Sequence, residues 1–220
     1  MTKLSKFKWA ILILVLQVII VFYFAGILPA DAKVPMHWNV NNQIDGWTGK
    51  TAGLAFGIGM NVFLFLLLYL MPWYSPWYRK YQERNESVLP QLCTTLVFFI
   101  ALLSSYSLYV AKWGEPKGVD MIMILIGFLF IFLGNLLPKV PKNFFIGIKT
   151  PWTLANEVIW DKTHRLGGIM FVISGIGMIK KGIFFTHNSL FQTTMTVLVF
   201  GMLLFPLLYS FILYKKLGKE

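Results

Sequence analysis

Six apolar segments, each about as long as a bilayer is thick, dominate this sequence. A transmembrane helix needs roughly 20 apolar residues to cross ~30 Å of hydrocarbon. Runs of about this length occupy residues 9–28, 52–71, 89–111, 119–137, 167–185 and 190–214. Backbone polar groups inside lipid must be satisfied within the segment, and the runs lack the period of two of barrel strands. The chain is therefore predicted to be an all-α membrane protein with six transmembrane helices.

The composition agrees with this interpretation, because 57% of the residues are hydrophobic and only 13% are charged. A water-soluble domain of this size normally carries more charge. We therefore predict one polytopic membrane domain over residues 1–220, with an extracytoplasmic loop at 29–51 and a cytoplasmic loop at 138–166. The fifth span is the weakest prediction, since Lys180 and Lys181 interrupt its apolar run and would have to reach the interface.

The distribution of basic residues predicts the orientation. Most of the 20 Lys and Arg residues fall on the side that holds both termini, and basic residues concentrate in cytoplasmic loops. Both termini are therefore predicted to lie in the cytoplasm. The net charge of +11 is interpreted as topology and attraction to anionic lipid headgroups, without direct nucleic-acid binding.

The extracytoplasmic loop, 29–51, is rich in aromatic and polar residues. Trp38 and Trp47 carry amphipathic rings that suit the headgroup zone. His37 and Asp45 are candidates for binding a metal or moving a proton, but two such residues eight positions apart are a weak signal. Local hydrogen bonding within a structured cap is the favoured interpretation, and no metal site is predicted.

The cytoplasmic loop, 138–166, contains the pattern of a short helix. Thr150 followed by Pro151 is typical of an N-cap with proline in the first helical position. Beyond it, Glu157, Asp161 and His164 recur on one helical face. We therefore predict a short amphipathic helix that lies on the membrane surface and leads into the fifth span.

Two carboxylates and an imidazole on one face also suit acid–base chemistry. The sequence contains no His-Glu-x-x-His motif, no Gly-x-Ser-x-Gly elbow and no phosphate-binding Gly-x-x-x-x-Gly-Lys loop. A solvated helix face is favoured, so no catalytic residue and no cofactor is assigned. The alternative is a membrane enzyme or lipid-handling protein that uses His37 with Asp45, or Glu157 with Asp161 and His164. A small-solute transporter is less favoured, because the well-defined spans carry no central charge.

Several motifs in both loops resemble one known family. Three motifs in and around the cytoplasmic loop resemble the signature of the SdpI bacterial immunity proteins. They are Gly134-Asn135-Leu136-Leu137-Pro138-Lys139, Phe145-Ile146-Gly147-Ile148-Lys149-Thr150-Pro151-Trp152-Thr153-Leu154 and Trp160-x-x-Thr163-His164-Arg165-Leu166-Gly167-Gly168. Their N-terminal domain of unknown function resembles Val34-Pro35-x-His37-Trp38-Asn39 and Asp45-Gly46-Trp47, followed by Lys50.

The resemblance implies a six-helix protein of the bacterial cytoplasmic membrane that protects its host from a secreted, membrane-active peptide toxin. It also implies a signalling role, in which an ArsR-type autorepressor is held at the membrane. The residues then expected to face the toxin or another ligand are His37, Trp38, Asn39, Asp45 and Trp47. Those expected to face a cytoplasmic partner are Lys149, Thr150, Pro151, Trp152, Glu157, Trp160, Asp161, His164 and Arg165.

Overall fold

Six long helices form the body of the protein. The structure, a computed structural model, describes residues 3–39, 43–184 and 189–217, with side chains from residue 193 in the last range. The long helices are α1 (Lys8–Ile27), α2 (Lys50–Tyr69), α4 (Gln82–Trp113), α5 (Met121–Leu136), α7 (Glu157–Ile183) and α8 (Ser189–Leu217). The shorter elements are β1 (Lys33–Trp38), β2 (Ile44–Gly49), α3 (Met71–Tyr74) and α6 (Pro151–Ala155). Six helices among the described residues are long and apolar enough to cross a membrane, so the predicted fold class is confirmed.

An antiparallel hairpin, β1–β2, covers one end of the helices and defines what we call the hairpin end. Val34 is buried in the groove beside Gly53 of α2, where a Cβ would lie only 2.7 Å from the valine Cβ. The Ser107 hydroxyl of α4 donates to the carbonyl of Pro35. These contacts fix the hairpin onto α2 and α4. Residues 40–42, between the strands, lie outside the described part of the chain.

A chain of polar side chains joins α1, α2 and α4 within the apolar interior. The Asn61 amide donates to Gln17 Oε1 at 2.7 Å and to the carbonyl of Val97 at 3.0 Å. The Gln17 amide in turn donates to Ser104 Oγ at 3.0 Å. Hydrogen bonds of this kind help membrane helices to associate. Lipid tails are as apolar as the helix surfaces, so burial of apolar surface between helices provides little driving force.

A glycine seam, formed by Gly127 and Gly134 of α5 with Gly168 and Gly175 of α7, joins these two helices. A Cβ added to Gly134 would lie 2.6 Å from the carbonyl oxygen of Gly168, and one on Gly175 would lie 2.5 Å from that of Gly127. The two backbones are therefore in direct contact. The glycines recur every seven residues, which keeps them on one side of each helix.

The helix that contains the fifth apolar run begins earlier than predicted. Asn156 has extended backbone angles, and its side chain accepts hydrogen bonds from the N–H groups of Val158 and Ile159, which starts α7 at Glu157. The short helix before it, α6, spans only Pro151–Ala155, capped by the predicted Thr150. The prediction that Glu157, Asp161 and His164 lie on a separate surface helix was wrong, because an N-cap at Asn156 places them in the first turns of α7.

Lys181 belongs to α7 and does not interrupt it. Its side chain is buried, and Nζ donates to Thr196 Oγ1 of α8 at 2.9 Å. The amine thus lies between two helices, where a polar partner reduces the cost of burial.

Candidate functional site

Three exposed side chains form what we call the hairpin surface: His37, Asp45 and Trp47. His37 Nδ1 and Asp45 Oδ1 are 2.5 Å apart, and the two side chains are 69% and 46% exposed. The hairpin pairs His37 with Gly46, which brings the neighbouring Asp45 within reach. This is the local hydrogen bond that the sequence favoured. Among the described residues, no group of three or more His, Cys, Asp or Glu side chains could hold a metal ion.

The other two candidates on this side, Trp38 and Asn39, make structural contacts. Trp38 Nε1 donates to Glu115 Oε1 at 2.6 Å, and its ring lies 5.9 Å from that of Tyr106. The Asn39 side chain accepts a hydrogen bond from the N–H of Gln43 at 3.1 Å. Trp38 therefore attaches the hairpin to α4 and the segment after it, and Asn39 bonds to the start of the second half of the hairpin.

At the opposite end, a compact loop over residues 140–150 is organised by a residue that the sequence did not single out. Asn143 is buried, and its amide donates to the carbonyls of Pro141 and Ile146 at 2.8 and 3.0 Å. Its Oδ1 accepts from the N–H groups of Phe145 and Ile146 at 2.7 and 2.6 Å. Asparagine is favoured in turns because its side chain can bond the backbone two residues on, and this property could have identified the residue.

His164 fastens this loop to α7. Its Nε2 accepts the N–H of Ile148 at 2.9 Å, so Nδ1 carries the proton and donates to the Trp160 carbonyl at 2.8 Å. The imidazole stacks on Trp160 at 3.9 Å, and the indole N–H donates to the Val140 carbonyl at 3.0 Å. Gly147 has φ +115°, and a Cβ there would lie 2.3 Å from His164 Nε2. Trp160 and His164 are fully covered by these contacts, so they hold the loop and do not present a surface to a partner.

Glu157 and Asp161 are exposed and face the start of α4 and the residues just before it. Glu157 Oε1 accepts from Lys80 Nζ at 2.7 Å and from the Tyr81 hydroxyl, while Asp161 lies 3.5 Å from Arg84. His164 is buried beneath the loop, and its ring nitrogens bond to the backbone of Ile148 and Trp160, not to either carboxylate. The hypothesis that these three side chains form a common acid–base site was therefore wrong, because they do not converge.

Of the remaining candidates at this end, some bond to α8 and others are exposed. Trp152 Nε1 donates to Ser210 Oγ of α8 at 2.5 Å, and the Thr150 hydroxyl lies 3.3 Å from the same oxygen. Lys149 is exposed and donates to the carbonyls of Phe144 and Phe145, at 3.2 Å each. Pro151 and Arg165 are exposed as well. We call the exposed side of the first turns of α7, formed by Glu157, Asp161 and Arg165, the charged cap surface.

Comparison with known proteins finds two matching regions, one that includes the hairpin and one that includes the loop at the opposite end. Residues 12–62, which include the hairpin, match a domain of unknown function (DUF1648). Residues 139–213, which include the loop, match the SdpI/YfhL protein family. The immunity protein SdpI of Bacillus subtilis (strain 168) is 29% identical over 140 residues, which cover 63% of this chain and 66% of that protein. No solved structure matches. The resemblance to the SdpI family is therefore confirmed, with the SdpI/YfhL region in the loop and last two helices and the DUF1648 region around the hairpin.

Proposed function

We propose that this chain is an immunity protein of the bacterial cytoplasmic membrane, which protects its host cell from a secreted, membrane-active peptide toxin. The observation that carries the proposal is the similarity to an immunity protein over 140 residues, together with six helices suited to a membrane. A peptide toxin that acts on the membrane would meet the protein at its extracytoplasmic end. In the predicted orientation, this is the hairpin end.

The hairpin surface has the chemistry of a peptide-binding surface. Trp47 is 52% exposed and offers a large apolar ring, a residue type that often supplies much of the energy of a protein interface. Asp45 lies on the same strand as Trp47, and His37 lies on the paired strand; both offer polar groups whose mutual bond holds them in place. We propose that a toxin contacts this surface before it can reach the lipid.

Expression in a toxin-sensitive strain tests the proposal. Cells that make the wild-type protein should survive a dose of the cognate peptide that kills control cells. Trp47→Ala should lose this protection, while Trp73→Ala, which removes a tryptophan that is 72% exposed at the opposite end, should keep it. If wild-type protein confirmed in the membrane gives no gain in survival with any candidate peptide, the proposed function is wrong.

For the cytoplasmic side, we propose that an ArsR-type repressor binds the charged cap surface. Its three residues recur at every fourth position of α7 and are exposed, so they present one continuous strip to the cytoplasm. Asp161 pairs with Arg84 of α4, and Glu157 pairs with Lys80 just before α4, so both ion pairs join the strip to this part of the chain. Such a surface could recognise a partner by complementary charge.

The assay follows the position in the cell of a fluorescently tagged repressor, taken from a repressor gene near the gene for this protein. With toxin present, the repressor should move to the membrane in cells that make the wild-type protein. Arg165→Glu should leave it diffuse, whereas Lys216→Glu, an equal charge reversal at an exposed position of α8, should not. A repressor that stays diffuse in toxin-treated wild-type cells would reject the signalling role and leave the immunity role standing.

A further inference from the structure

A cavity of about 320 Å³ lies beneath the hairpin, between α2, α4 and α5. Residues 35–38 of β1 form its roof. Its walls are almost entirely apolar and include Phe56, Met60, Phe99, Leu103, Ile122 and Ile126. The cavity thus lies where the helices that carry the hairpin meet α5.

The depth of the cavity places it among lipid acyl chains. Phe56 and Met60 follow the start of α2 at Lys50 by six and ten residues, which corresponds to about 9 and 15 Å along the helix. These depths fall within one leaflet of a hydrocarbon core about 30 Å thick. Phe56 and Met60 are 53% and 39% exposed, so this side of the cavity faces the lipid.

The polar groups at the edge of the cavity already have partners. The hydroxyls of Ser104 and Ser107 donate to the carbonyls of Ala101 and Pro35. In the roof, Trp38 donates to Glu115, and His37 is bonded to Asp45. A buried water needs two to four polar partners, and a peptide backbone inside lipid needs a partner for every N–H and C=O. The cavity therefore suits a hydrocarbon chain better than water or a peptide backbone.

We propose that this cavity binds one acyl chain of a phospholipid from the leaflet at the hairpin end. Dispersion contacts with the apolar walls would replace those that an empty space of this size forfeits. The glycerol and headgroup would lie beside the roof, where the amphipathic Trp38 marks the boundary of the hydrocarbon. This site does not depend on the immunity function, because the bilayer itself supplies the ligand.

A phospholipid that carries bromine atoms in the upper part of one acyl chain is the probe, because bromine quenches tryptophan fluorescence on contact. The purified protein in detergent micelles is titrated with this lipid. The Trp38 signal is taken as the difference between the wild type and Trp38→Phe. We expect saturable quenching at one lipid per protein.

The test variant is Ile122→Phe/Ile126→Phe, which fills the cavity and adds no tryptophan. The control is Ile19→Phe/Ile20→Phe, which makes the same exchanges at exposed positions of α1. Quenching of Trp38 should be lost in the filled variant and kept in the control. Equal quenching in the filled variant, or no saturable quenching in the wild type, would overturn the proposal.

Native mass spectrometry provides a second measurement that does not rely on Trp38. Wild type and control should each retain one phospholipid after mild delipidation, and the filled variant should retain none. If the double variant does not elute as a single folded species, Ile126→Phe alone is measured in the same way. Lipid retention equal to that of the wild type in a folded, filled variant would contradict the proposal.

Discussion

Replacing Gly175 with alanine is expected to destabilise the protein, because this residue lies in the glycine seam between α7 and α5. The added Cβ would lie 2.5 Å from the carbonyl oxygen of Gly127 and 2.9 Å from Ile131 Cγ1. Ordinary contacts of a Cβ begin near 3.4 Å. The first obstacle is backbone, which cannot rotate away, so the two helices would have to separate by roughly 1 Å at this point.

The magnitude follows from two opposing contributions. Overpacking of a tight contact costs about 1–3 kcal/mol, and alanine favours a helix over glycine by up to about 1 kcal/mol. Subtracting the helix preference leaves about 0–2 kcal/mol, and the rigid backbone obstacle places the expected loss in the free energy of unfolding in the upper half of this range, about 1–2 kcal/mol. For a chain of this size, this corresponds to a midpoint of thermal unfolding that is lower by about 2–8 °C.

The assay is thermal unfolding of the purified protein in detergent, followed by loss of the monodisperse peak in size-exclusion chromatography. Gly177→Ala is the matched control, since it makes the same exchange two residues further along α7. Its Cβ would meet only Val199 Cγ2, at an ordinary 3.8 Å. We expect Gly177→Ala to leave the midpoint unchanged or slightly raised. Equal midpoints for the two variants would refute the argument that backbone contact limits the seam.

Three further predictions concern buried polar groups. His164→Ala should lower the free energy of unfolding by about 2–4 kcal/mol, because it removes a stacked ring and leaves the N–H of Ile148 without its acceptor. Thermal unfolding measures this loss. The control is His37→Ala, which changes an exposed histidine and should unfold at the same temperature as the wild type. In a double-mutant cycle of Gln17→Leu and Asn61→Leu, the coupling free energy should be about 0.5–1.5 kcal/mol; strictly additive effects would show that their hydrogen bond contributes nothing. Asn143→Ala should accelerate hydrogen exchange at the amides of Phe145 and Ile146, which mass spectrometry can follow, and unchanged exchange would contradict the role given to Asn143.

The number and type of the main elements followed from hydrophobicity alone. Inside lipid, a backbone segment satisfies its hydrogen bonds locally, so a long apolar run predicts a helix regardless of its neighbours. The hairpin was not predicted as strands. Pro35 lacks an N–H and argues against a strand, but its carbonyl is held by Ser107 from α4, a contact that is distant in sequence.

Small-residue faces of helices could be read from the sequence, but the residues that pack against them could not. Gly53 and Gly57 are four residues apart, a spacing that places both on one side of α2, and a Cβ on them would meet Val34 and Ser104. The seven-residue spacing of Gly168 and Gly175 was equally readable as a small-residue side of a helix. That this side meets the glycines of α5, backbone to backbone, depends on how two distant helices pack.

The face formed by Glu157, Asp161 and His164 shows the limit of periodicity. The sequence by itself determined that the three residues share one side of a helix, because 3.6 residues per turn fixes their angles. Their burial differs, since the loop held by Asn143 covers the side of α7 that carries Trp160 and His164 and leaves Glu157 and Asp161 exposed. Only the tertiary structure decided that His164 fastens a loop while the carboxylates face the start of α4 and the residues just before it, because contacts with segments far away in the chain determine which part of a helical face is covered.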